Sequence, residues 1–352
     1  MSGELGVAAP TGLEGMMAAV VLEVDGHELT GRDLVAAGVV SGRWQRLESE
    51  LSEGLGLVAA QSPPTADIGE EVRALRLERR LLSAEDMRAW LHPRALAMRD
   101  IRGVAARAVV RRLGGTPQAI TAAEVAAALP AEAICTGVVS ELGWWLADRL
   151  LSAKATAASA AAISLDDTRI QRLTLAEART AAGATSRESG VDRARRLAWI
   201  AALDDAHRPW EAGVAEPRAL ARRLRERELD WCHFELDELH LASPGAAAEA
   251  ARQLAEGTDP GEIAAAAGVP IIDRHVVLAD AAPPLARALV GAVVGDVAGP
   301  WSEGNEHIVA RVRERHAPED ADEPLVERAR AELLAEAAER LRAGKVRWHD
   351  RA

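Results

Sequence analysis

Along most of this chain the apolar positions return at the spacing of a helix. Helical periodicity runs through Leu34, Val40, Trp44, Leu47 and Leu51. Ahead of them, Val20-Val21-Leu22-Glu23-Val24 reads as a short strand, and Asp25-Gly26 as a turn leading to Leu29-Thr30. Thr30 followed by Asp33 predicts a helix start. The hydroxyl can accept from a backbone N–H that the first turn leaves unpaired, and the carboxylate suits the positive helix end. Pro63-Pro64 breaks the pattern, so a helix is predicted over about Ile68 to Leu82. Ser83 caps the next one, with Glu85 and Asp86 in its first turn. Thr121 and Glu124 form another capping box, and Ala131 to Leu151 reads as one amphipathic segment carrying Trp144-Trp145. The Ala/Ser-rich stretch 152–162 is a linker or a weak helix. Ile163 to Asp167, followed by Leu173-Thr174 and Glu177, then resembles the first strand-and-cap pattern, either as a diverged repeat or by coincidence.

From Phe234 the period shortens. Phe234 to Leu241, Ile271 to Leu278 and His307 to Arg313 are predicted strands. Ser243-Pro244-Gly245 opens a helix that Gly257 ends, Asp259-Pro260 opens a shorter one ending at Gly268, and Pro283-Pro284 opens a third through Leu285 and Leu289. Gly295 to Pro300 reads as a turn. A long helix is predicted from Pro324 to about Gly344, with Leu325, Ala329, Leu333, Ala337 and Leu341 on one stripe, and Val346-Arg347-Trp348 as a last packing segment. The organisation expected is a disordered stretch at 1–15, a helical domain at 16–151, and a linker with a second helical unit at 152–231. A small α/β domain at 232–317 and a C-terminal helix at 318–352, packing on the helical body, complete an α+β protein.

Composition narrows what such a protein does. The 352 residues are enough for two or three domains. Tyr is absent, Phe occurs once and Trp nine times, so Ala and Leu must fill most of the core. Trp44, Trp90, Trp144, Trp145, Trp199 and Trp210 fall at helical positions, where core packing is the default and a peptide groove the alternative. A net charge of −12 argues against nucleic acid and anionic membrane surfaces as partners. The run Arg222-Arg223-Leu224-Arg225 lies close to Glu and Asp and reads as a solvated helix face. Cys135 and Cys232 are too few for a disulfide framework, and Cys135 reads as a small buried hydrophobe. No His or Cys pair has metal-ligand spacing, so no metal and no cofactor are expected. No basic start leads into an apolar run and no stretch is apolar for long enough to span a bilayer; the protein is expected to be cytoplasmic.

Four segments carry a resemblance. They are Glu238-Leu239-His240-Leu241-Ala242, Ala250 to Gly257, Gly295-Asp296-Val297-Ala298-Gly299-Pro300, and Glu306-His307-Ile308-Val309-Ala310-Arg311-Val312. In that order they resemble the parvulin-type, PpiC-like peptidyl-prolyl isomerase domain, tightly over about a quarter of the chain. The rest is similar to the parvulin-containing chaperones of the SurA and PrsA type, through Val24-Asp25-Gly26-His27-Glu28-Leu29-Thr30. Residues 131–137 and 342–349 look like PpiC-related peptide maturation system proteins.

The resemblance implies a helical chaperone-like body, an antiparallel sheet of four strands or fewer, and a closing C-terminal helix. It implies that His240 and His307 fill the family's two histidine positions, side by side on adjacent strands. It sets Ala281 and Leu285 where the family's pocket Met and Phe stand, and Val290 at a further Phe. The cup for a proline ring is then shallow, because each lost square ångström of apolar contact forfeits roughly 25 cal/mol. The Gly-Gly-x-Leu-Gly loop bearing a Cys or Asp is missing, with Asp273 or His275 as possible substitutes. Three readings follow. The first is a peptide-binding accessory or chaperone-like protein that holds an unfolded or precursor peptide, with a peptide-modifying enzyme as a further partner. The second is an active prolyl isomerase, and the third is a structural subunit without a peptide ligand. Oligomeric state is not legible.

Overall fold

The computed structural model describes residues 17–156, 190–319 and 321–349. The expected disorder at 1–15 and the second strand-and-cap pattern at 163–177 lie outside the described residues. In chain order the elements begin with β1 (Val20–Val24), β2 (His27–Thr30), α1 (Gly31–Val40), α2 (Arg43–Ala60) and α3 (Thr65–Glu78). Next come α4 (Ala84–Leu91), α5 (Met98–Leu113), α6 (Ala122–Cys135), α7 (Val138–Ala155) and α8 (Gly190–Val214). They continue as α9 (Pro217–Glu226), β3 (His233–Leu241), α10 (Pro244–Ala255), α11 (Pro260–Ala267) and β4 (Ile271–Val277). The last are α12 (Pro283–Leu289), β5 (Val297–Glu303), β6 (Glu306–His316), α13 (Glu323–Arg342) and β7 (Val346–Trp348). The protein is α+β, with thirteen α-helices among the described residues and two small antiparallel sheets. Two compact units divide the chain: residues 1–211 with 338–352, and residues 212–337. The divisions fall inside α8 and α13, whereas the sequence reading put boundaries at 231/232 and 317/318.

In the first unit, β1 and β2 form a hairpin whose turn residues Asp25 and Gly26 have φ of 50° and 79°. Positive φ at both central positions matches the right-handed twist of the strands. Ser83 and Thr121 cap their helices as predicted, whereas at Thr30 the Asp33 carboxylate takes the backbone N–H and the hydroxyl accepts from no helix N–H. The Thr30 hydroxyl donates to Asp33 Oδ2 at 2.6 Å, while Ser83 Oγ and Thr121 Oγ accept from the N–H groups of Asp86 and Glu124 at 3.0 and 3.3 Å. The single segment expected over 131–151 is two helices, α6 and α7, bent by 69°. The break is at Gly137, whose φ of 81° ends one helix direction and starts another. Ala and Leu on both sides hide that change of direction from a periodicity argument. α7 then runs through Ala155, into the stretch read as a linker or a weak helix. Among the described residues no single helix is long and apolar enough to cross a membrane.

The C-terminal residues Val346–Trp348 pair with β1, giving a sheet in the order β2-β1-β7. The Trp348 ring packs on Gly143 of α7, where a Cβ would lie 2.2 Å from it. Trp144 meets Trp348 edge-on at 5.3 Å, and the Arg342 guanidinium lies over the Trp144 ring and pairs with Asp148. Buried between α5 and α6, Glu132 accepts from Arg107 and Arg111.

In the second unit the sheet order is β4-β3-β6-β5, all antiparallel. Both faces are partly covered. Phe234, Leu236, Ala310 and Val312 pack under Leu285 and Leu289 of α12. On the other face Leu239, Leu241 and Val309 pack under α10 and α11. The expected turn at Gly295–Pro300 is instead the entry to β5, with the register shift between Ala298 and Trp301 taking up Pro300, which has no N–H to offer. The first part of α13, through Leu325, Ala329 and Leu333, packs on α9 and Trp231 within the second unit, and its end, from 338 onward, belongs to the first, where Leu341 packs against the helical core. Arg223, expected on a solvated face, is buried. It donates to Glu332 at 2.9 Å and Glu336 at 2.8 Å, two carboxylates that α13 supplies.

Candidate functional site

The register of β3 against β6 decides the geometry of the two histidines. His240 lies opposite Ile308, and His307 lies opposite Leu241. Directly opposed residues of an antiparallel pair share a face, and successive residues alternate. The imidazoles therefore leave opposite faces of the sheet, where the resemblance set them side by side. Each has its own partners. His240 Nδ1 is 2.7 Å from Glu306 Oε2 and its Nε2 3.4 Å from Glu238 Oε2, while His307 Nδ1 is 3.0 Å from Ser302 Oγ. Glu238 is buried, and its second oxygen accepts from Arg274 at 3.1 Å. Burial pulls the His240 pKa down, but the hydrogen bonds to Glu306 and Glu238 outweigh it and hold the ring above its ordinary value. Such a ring is an ion-pair member of the row Arg274, Glu238, His240, Glu306.

The three expected cup residues do not form a cup. Leu285 is buried beneath Phe234 and Leu236, Ala281 packs against the same cluster, and Val290 is 70% exposed. Asp273 and His275 are opposite Asp237 and Glu235, which sets them on the face away from His240. Asp273 accepts from Arg313 at 2.8 Å. Neither is placed to stand in for the missing Cys or Asp.

What the sheet does offer is an edge. β4 is its outermost strand on one side, and Ile271 and Ile272 are 42% and 38% exposed. An edge strand presents a row of unpaired N–H and C=O groups, a template for another extended chain. The opposite edge, β5, is interrupted by Pro300 and its register shift, which blunt pairing. The uncharged Ile271-Ile272 pair opens β4, and Asp273, Arg274 and His275 follow it.

Two features of the first unit escaped the sequence reading. A cavity of about 780 Å³ is lined by Pro93, Arg94, Ser140, Trp144, Trp348 and His349. Trp144 and Trp348 were legible singly, but nothing local joins residues two hundred apart. Also, Ser152 Oγ is 2.7 Å from His207 Nδ1, and His207 Nε2 is 3.1 Å from Glu211 Oε1. The order of groups is that of a nucleophile, base and orienter. Ser152 and His207 are both buried, however, so no substrate reaches the hydroxyl, and the arrangement ties α7 to α8.

Comparison with protein-family models and with curated proteins gives no match. Among solved structures, a match comes from work on the virulence factor PEB4 and the periplasmic protein Cj1289, two SurA-like chaperones of Campylobacter jejuni. It has 9% identity over 94% of this chain and 99% of that chain, with a TM-score of 0.20. A superposition that loose carries no argument about fold or activity.

Proposed function

We propose that this protein is a chaperone-like peptide binder, which holds an extended segment of an unfolded or precursor polypeptide as an added strand on β4. The observation that carries this reading is the edge itself: β4 is outermost, unblunted at its start, and exposes Ile271 and Ile272. Main-chain hydrogen bonds to an edge supply affinity that tolerates many sequences, and alternate side chains add apolar contact. The resemblance to parvulin-type domains and to peptide maturation system proteins agrees with a polypeptide ligand and suggests delivery to a separate modifying enzyme. Prolyl isomerisation is not part of the proposal. It crosses a barrier of about 18–20 kcal/mol, and catalysis requires groups that favour the twisted amide over the planar one. Here His240 and His307 leave opposite faces and Leu285 is in the core.

The test uses the full chain, a panel of fluorescent extended peptides with and without proline, and anisotropy as the readout. Alternating apolar peptides are expected to bind whether or not they contain proline. Ile271→Lys with Ile272→Lys is expected to weaken them about tenfold, a loss of about 1.4 kcal/mol. A protease-coupled assay is expected to show no acceleration of X-Pro isomerisation. Unchanged binding in the double variant, or acceleration that His240→Ala abolishes, overturns the reading.

A further inference from the structure

A second group of ionisable side chains meets on the same sheet, on the face away from His240. Glu235 of β3 lies directly opposite His275 of β4 on one side and Glu314 of β6 on the other. His316 is two residues beyond Glu314 and therefore shares its face. Ligand atoms of Glu235, Glu314 and His316 all lie within 4.8 Å of one another. His316 Nε2 is 2.9 Å from Glu314 Oε2, and His275 Nδ1 is 3.5 Å from Glu235 Oε1. We propose that Glu235, Glu314 and His316, joined by His275 on rotation of its exposed side chain, form a binding site for a divalent transition ion of the zinc class.

The donor chemistry selects that class. Two imidazoles and two carboxylates suit zinc, which takes four such ligands at about 2.0–2.2 Å. Adjacent donors around a tetrahedral ion of that size are then about 3.3 Å apart, between the two separations just given. Glu314 and His316 are each about half exposed, so their rotamers are free to close the wider gaps. Two carboxylates balance the charge of the ion. Calcium and magnesium are disfavoured, because they call for six or more oxygen donors or retained waters. Arg313 donates to Glu235 Oε2 at 2.8 Å, which orients the carboxylate and leaves Oε1 for the ion. His233 lies opposite His316 but is engaged with Asp322 at 2.6 Å, so it is left out of the set. An ion held here ties β4, β3 and β6 together. Sequence spacing conceals such a site, since Glu235, His275 and Glu314 come from three strands about forty residues apart.

The test titrates the full chain with Zn²⁺ against a chromophoric chelator and with Co²⁺ followed by visible absorption. One ion per chain in the micromolar range or tighter is expected, with the intense Co²⁺ bands of four-coordination. Zn²⁺ is expected to raise the melting temperature of the native chain. Glu314→Gln and His316→Ala are each expected to weaken binding at least tenfold and to remove that rise. Glu314→Gln leaves the Arg313 pairing intact, so its loss is not a folding defect, and His307→Ala is expected to bind like the native chain. Failure to hold an ion, or unchanged affinity in both Glu314→Gln and His316→Ala, overturns the site and leaves incidental His–Glu pairs only. Peptide binding at β4 plays no part in the readout, so either proposal can fail without the other.

Discussion

Removing one charge from the core of the first unit should be severe. Glu132 is 1% exposed on α6 and accepts from Arg107 Nε at 2.9 Å and Nη2 at 2.6 Å. Arg111 Nη2 donates to its other oxygen at 2.9 Å. Glu132→Gln keeps the volume and one carbonyl oxygen but leaves the buried Arg107 guanidinium without a counter-charge. Breaking one side of a buried pair typically costs about 3–5 kcal/mol. For a domain of some 200 residues each kcal/mol lowers the melting temperature by about 2–4 °C, so a fall of roughly 6–20 °C is expected by circular dichroism or calorimetry. The double variant Arg107→Met with Glu132→Leu removes both charges together with their desolvation cost. It is expected to recover most of the loss, because buried pairs are often replaceable by apolar groups of similar volume. Arg111 is partly exposed and can return to water. A fall of less than about 2 °C in Glu132→Gln, or a double variant as damaged as the single one, would refute the electrostatic reasoning in favour of shape alone.

Other expectations follow from particular contacts. Gly143→Ala puts a Cβ 2.2 Å from the Trp348 ring, so β7 must shift; a cost of about 1–3 kcal/mol and a change in Trp fluorescence are expected. Burial pushes the Cys135 thiol up to about 12, against the opposing influence of Arg79, and Cys232 is also buried. Both thiols are therefore expected to ignore aromatic disulfide reagents in the native chain and to react on unfolding; rapid native labelling would contradict the packing. Burial and then Arg149 push the His207 pKa down, while Glu211, Asp148 and Asp204 oppose them. Below the ordinary value of 6.5 the unfolded chain then binds a proton that the folded chain refuses, so stability should fall as pH drops. His207→Gln should flatten that slope in denaturant titrations, and an unchanged slope would rule out the assignment.

What could be read before the structure was what is written locally. Ser83 and Thr121 cap helices because a cap needs only a hydroxyl and an acid three residues on, Asp33 takes the N–H of Thr30 for the same local reason, and Asp25-Gly26 turns because both residues tolerate positive φ. The strand at 234–241 was visible, but its partner register was not. One residue of offset between β3 and β6 sends His240 and His307 to opposite faces, and nothing in either strand's composition encodes that offset. Leu285 and Ala281 matched pocket positions by spacing alone, yet α12 turns Leu285 into the core. Buried charge was equally hidden. Arg223 and Glu132 look like surface residues until α13 and α5 supply their partners from far along the chain. β7 joins β1 across more than three hundred residues, a pairing that no periodicity can announce.

Hydrogen exchange on the full chain, with and without a saturating extended peptide, tests the peptide-binding account most directly. Slowed exchange confined to the amides of residues 271–277, with β5 and β6 unchanged, is the predicted result. Protection around Trp144 and Trp348 with none along β4 would contradict it.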